Sequence, residues 1–132
     1  MQGTEQSLEE IEGDVWGDPP AGATRLTATV HELRRRPVGQ LGVEDQRVLI
    51  AQQVGLDVLV PLALARLEEN PLAEGDFYPG DLLVAVLRVP AAYWRSHPDE
   101  AARLRTVAGS VDLGELDAET RAEVVAFRGN GG

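Results

Sequence analysis

The 132-residue chain has no cysteine and no lysine, only two histidines, and aromatic residues at 5%. Without cysteine there is no disulfide, no thiol nucleophile and no thiolate metal site. His31 and His97 stand at no spacing from carboxylates that resembles a metal site. The glycine-rich phosphate loop, the nucleophile elbow and any readable Ser-His-Asp arrangement are missing too. Paired acids occur at Glu9/Glu10, Glu68/Glu69 and Asp76/Asp81, and such pairs on exposed turns read as solvated faces. The expectation is a protein that is not an enzyme and carries no cofactor. No apolar run approaches the ~20 residues of a membrane span. Met1 to Glu5 lacks the basic start and apolar core of a signal peptide, so a cytoplasmic protein is expected.

What is present is acid. The net charge is −10 and the pI about 4.5, with 43% hydrophobic and 26% charged residues. Those proportions are globular. The sign of the charge disfavours nucleic acid, whose phosphates need Lys and Arg. It suits a basic protein partner, although acidity also serves plain solubility. At this length the expectation is one domain over residues 1–132, burying roughly two-thirds of its unfolded surface.

Helix signals run along the whole chain. Ser7 and Glu10 match a capping box, with Gly13 as the stop. Trp16 in the following Gly/Pro-rich loop is expected as a core anchor. Thr24 caps a helix with Leu26, Val30 and Leu33 on one face, and Arg34, Arg35 and Arg36 crowd its last turn. The next helix starts near Val43, with Val43, Ile50 and Val54 inward and Gly55 as its C′ residue. Residues 57–69 are apolar almost all round, which marks a central helix, with a distorted first turn expected before Pro61. Pro90 and Pro98 open two further helices, the second with Ala101, Leu104 and Val107 inward and Gly109 as its end. Ser110 to Leu116 reads as a linker. Asp117 then caps a last helix with Ala118, Ala122, Val125 and Phe127 inward, and residues 129–132 read as a frayed tail.

The stretch from Asn70 to Pro90, NPLAEGDFYPGDLLVAVLRVP, organises the rest. Pro79-Gly80 fits the centre of a type II turn. Asp81 is placed to cap the helix 81–88. A strand is the alternative for LLVAVLRV, but the chain offers no second strand to pair with it. Asp76 and Asp81 are expected to cap backbone N–H groups while Phe77 and Tyr78 plug the loop into the core. The competing reading makes these acids and aromatics a binding cluster.

Together with Tyr93-Trp94-Arg95, His97-Pro98, the segment Leu8 to Gly13, Trp16 to Pro20, and Val43 to Leu64, this stretch resembles the immunity proteins of contact-dependent growth inhibition (CDI) systems. The likeness covers about residues 7–105 and leaves 106–132 as linker, extra helix and tail. Gly42 departs from the pattern where a Thr cap is expected, and every base is Arg where relatives often use Lys. The resemblance implies a cytoplasmic, toxin-binding partner of a cognate toxin C-terminal domain, basic and nuclease-like, and monomeric when free. It also implies that Asp76 to Asp81, Trp16 and Trp94 are shared scaffold, with specificity elsewhere. Acids expected at the toxin are Glu9, Glu10, Glu12, Asp14, Asp18, Glu44, Asp45, Glu68 and Glu69. The expected fold is all-α, a compact helical domain of about six or seven helices around the apolar helices 57–69 and 81–88. An acidic helical adaptor for a basic partner that is not a toxin is the alternative function.

Overall fold

The computed structural model describes residues 5–16 and 20–131. Within them lie eight α-helices: α1 (Leu8–Glu12), α2 (Arg25–Leu33), α3 (Val43–Ala51), α4 (Leu56–Glu69), α5 (Asp81–Leu87), α6 (Ala91–Ser96), α7 (Pro98–Ser110) and α8 (Ala118–Gly131). Short 3₁₀ turns at Val38–Gln40 and Leu113–Glu115 complete the fold. It is all-α, and extended pairing among the described residues is limited to single bridges, Ser7 with Pro37 and Glu74 with Pro79.

Local chemistry explains the helix starts. The Ser7 N–H donates to Glu10 Oε1 at 2.9 Å, and the Glu10 N–H returns to Ser7 Oγ at 3.3 Å. Thr24 Oγ1 accepts the Thr27 N–H at 3.1 Å. Asp117 Oδ1 accepts the Thr120 N–H at 2.7 Å, which lowers the Asp117 pKa. Gly42 cannot cap with a side chain, and its N–H instead donates to Asp45 Oδ2 at 3.0 Å.

The end of α3 departs from the sequence reading. It closes in a Schellman motif around Gln53 (φ 59°), with the Gln53 N–H on Ile50 O and the Val54 N–H on Leu49 O, both at 2.9 Å. Gly55 (φ 66°) instead precedes α4, and a Cβ there would stand 2.8 Å from Leu8 Cδ1. Helix α4 is continuous through Pro61, against the distorted first turn expected. The bond lost is the one to the carbonyl of Asp57, an exposed residue.

The core centres on α4 and α5. Leu59, Val60, Ala63, Leu64 and Leu67 meet Leu82, Leu83 and Val86, with Leu49 and Ile50 from α3 and Leu104 and Val107 from α7. Each such Leu contributes about 1.5–3 kcal/mol. Two faces are rotated from expectation. Leu26 is 44% exposed, leaving Val30 and Leu33 inward. On α8, Val125 is 48% exposed and Ala118 and Ala122 face solvent, while Thr120 and Val124 are buried and Phe127 is half-buried. That stripe, Thr120, Val124 and Phe127, keeps helical period two positions out of phase with Ala118, Ala122 and Val125. Helices α7 and α8 also outrun their expected ends, to Ser110 and Gly131, and the linker between them buries Val111 and Leu116.

Candidate protein-binding site

The segment around α1 is pinned by Arg34, immediately after α2. Its side chain is fully buried although the residue is the first of three arginines. Arg34 Nη2 donates to Glu12 Oε1 at 2.8 Å and to the Asp14 carbonyl at 2.9 Å. Its guanidinium carbon lies 4.1 Å from the centroid of the Trp16 ring, which meets His31 edge-on at 5.1 Å. A buried guanidinium is costly unless paired and stacked, so these contacts fix the geometry around it. Trp16 is therefore no core anchor: it lies across the buried arginine, 42% exposed, beside Val15 at 72%. Glu9, Glu10, Glu12 and Asp14 surround it in sequence. Glu9 Oε1 stands 3.6 Å from Arg35 Nε, and Asp14 Oδ2 accepts the Trp16 indole N–H at 3.2 Å. Asp18 lies outside the described residues.

The central loop is held differently. The Asp81 N–H donates to Tyr78 O at 3.0 Å with Gly80 at φ 90°, ψ 3°, a type II turn at Pro79-Gly80. The Asp81 carboxylate turns back from α5 to accept the N–H groups of Gly75 at 2.6 Å and Phe77 at 3.1 Å, so it caps the loop and not its own helix. Arg47 donates to both oxygens of Glu44, at 2.7 and 2.5 Å, and thereby lowers the Glu44 pKa. The Asp76 N–H donates to Glu44 Oε1, while the Asp76 side chain stays exposed. Phe77 is 66% exposed, with the Arg47 guanidinium 4.5 Å from its centroid, and Tyr78 is half-buried. Phe77 thus covers an ion pair where a core plug was expected. On the opposite side, a Cβ on Gly80 would touch Thr120 Cγ2 at 3.4 Å, so the C-terminal segment closes over the turn.

The other candidates are spread apart. Asp45 Oδ2 accepts the Gly42 N–H and stands 3.7 Å from Arg36 Nη1. Glu68 makes two 2.9 Å bonds to Arg103 of α7, which lower its pKa. Glu69 is exposed on the last turn of α4. Trp94 is half-buried and donates its indole N–H to Val89 O at 3.1 Å. So Asp14 touches the exposed Trp16 directly and Glu12 reaches it through Arg34, with Glu9 and Glu10 one turn earlier on α1, while Glu44, Asp45 and Glu68 are paired elsewhere in the fold. Sequence reasoning missed Arg34 and Arg47. The spacing Val30, Leu33, Arg34 placed the first on the buried stripe, and Glu44 to Arg47 is a helical i,i+3 pair.

No helix among the described residues is long and apolar enough to cross a membrane. A comparison with curated proteins returns no significant match. The family described as CDI immunity proteins matches residues 10–104, which is well over half of the sequence and runs from within α1 into α7 across the central loop. The chain belongs to the CDI immunity proteins.

Proposed function

We propose that this immunity protein neutralises its cognate toxin domain by presenting the α1 segment, acidic and tipped with Val15 and Trp16, to a basic, nuclease-like active-site cleft. It acts in the cytoplasm, monomeric until engaged, by occlusion and without catalysis. The observation that carries this reading is Trp16, a half-exposed indole laid on a fully buried arginine, bonded to Asp14 and joined through that arginine to Glu12. Rigid aromatic anchors dominate interface energetics, and surrounding charge speeds encounter. Holding Trp16 on Arg34 before binding lowers the ordering cost.

The test uses the toxin domain co-expressed with this protein. Trp16→Ala should weaken binding about 30-fold, about 2 kcal/mol, mostly through faster dissociation. Asp14→Asn with Glu10→Gln, which keeps an acceptor for the Ser7 N–H, should slow association and flatten its salt dependence. If neither change moves its rate, the toxin sits elsewhere.

A further inference from the structure

A cavity of about 400 Å³ opens where α6, α7 and α8 meet. Trp94, Ala101, Leu104 and Phe127 give it apolar walls, and Arg95 and Arg105 also line it. The Trp94 indole N–H is already used by the Val89 carbonyl, so that ring offers the cavity carbon. Glu100, on the same helix as Arg105, accepts a hydrogen bond from the Tyr93 hydroxyl at 2.5 Å. Neither Arg95 nor Arg105 has an ion pair or hydrogen bond among the described residues, whereas Arg34, Arg36, Arg47, Arg88 and Arg103 each hold a carboxylate.

In a chain of net charge −10, two unspent guanidinium groups on one apolar cavity are a local inversion of sign. A neutral apolar ligand would leave both cations unused. A small bare anion would leave the walls without a partner. The volume is that of a small-molecule site, and guanidinium groups match carboxylates bidentately. We infer that this cavity binds an amphiphilic carboxylate of the medium-chain fatty-acid class, its tail against Leu104 and Phe127 and its head on Arg95 and Arg105. The site shares no residue with the α1 segment and stands whether or not that segment meets the toxin.

The test is decanoate binding to the full chain carrying Trp16→Phe, which leaves Trp94 as the single indole of the two. Decanoate should change Trp94 emission saturably, with half-saturation below about 1 mM. Decanol should bind about tenfold more weakly, and Arg95→Gln with Arg105→Gln should cost decanoate about tenfold while sparing decanol. Amide shifts on titrating the otherwise unaltered chain should cluster at Trp94, Ala101 and Phe127. No saturable change, equal affinity for decanoate and decanol, or shifts centred elsewhere would each overturn the inference.

Discussion

Glu44, in the first turn of α3, accepts the backbone N–H of Asp76 at 2.9 Å across a separation of 32 residues. The same oxygen takes Arg47 Nε at 2.7 Å, and a Cβ on Gly75 would stand 2.5 Å from it. Helix and loop therefore approach as closely as a glycine permits. Replacing the carboxylate by an amide leaves one oxygen for three N–H donors, Arg47 Nε and Nη2 and the Asp76 N–H, and removes the charge that Arg47 faces. Glu44→Gln should destabilise the protein by about 1–3 kcal/mol in urea unfolding. Toxin association should stay as in the parent, because this acid belongs to α3 and not to the α1 segment.

The same pair sets an acid limb of stability. Its hydrogen bond to Arg47, the largest cause, lowers the folded-state pKa of Glu44 from the ordinary 4.5. A depressed carboxyl adds stability that is complete above its unfolded value and is lost as pH falls through the folded one. Stability should thus decline below about pH 4.5, and Glu44→Gln should flatten that decline. A series of urea midpoints between pH 7 and pH 3 reads the difference. Parallel curves for the two proteins would mean that the carboxylate is unperturbed.

Two left-handed residues, Gln53 and Gly55, stand two positions apart in sequence, and they predict opposite results. Gln53 occupies φ 59° as a non-glycine residue at the close of α3. Gln53→Gly should stabilise by about 1 kcal/mol, since the left-handed penalty of a side chain disappears. Gly55 at φ 66° lies under Leu8, whose Cδ1 and Cδ2 would stand 2.8 and 2.9 Å from an added Cβ. Gly55→Ala should cost about 2 kcal/mol or more, from backbone strain plus displacement of a fully buried leucine. Thermal melts of both variants give the comparison.

Helix caps and apolar runs were legible because they are local. Ser7 with Glu10, Thr24, Asp117 and the Pro79-Gly80 turn each depend on residues a few positions away. What escaped was decided by distant partners. Phe77 faces outward because Arg47, 30 residues earlier by number (77 − 47), offers its guanidinium to the ring. Trp16 stays at the surface because Arg34, which looked like a charge at a helix end, is swallowed by Glu12 and the Asp14 carbonyl. The phase of α8 was lost for another reason. Ala118, Ala122 and Ala126 repeat at helical spacing on one face, so composition marked a stripe that is in fact exposed, and Thr120 with Val124 set the buried one by docking over Gly80.

The C-terminal segment lies beyond the family match at residue 104, yet it is built into the core. Leu116 and Val124 are buried, Thr120 packs against Gly80, and Glu123 holds Arg88 at 2.7 Å. Arg128 donates to the carbonyls of Ala108 and Val111, both at 2.9 Å, closing the end of α7. Removing residues 112–132 would uncover one side of α5 and forfeit several buried apolar side chains at about 1.5–3 kcal/mol each. That sum rivals the ~5–15 kcal/mol of a whole domain. The truncated chain should lose its near-ultraviolet circular dichroism, bind a hydrophobic dye and fail to neutralise the toxin. Val124→Ala, a milder lesion in the same contact, should lower stability by about 2 kcal/mol without abolishing the fold. If the truncated chain instead melts cooperatively at the temperature of the parent, then α8 rests on the surface of a body that is complete without it.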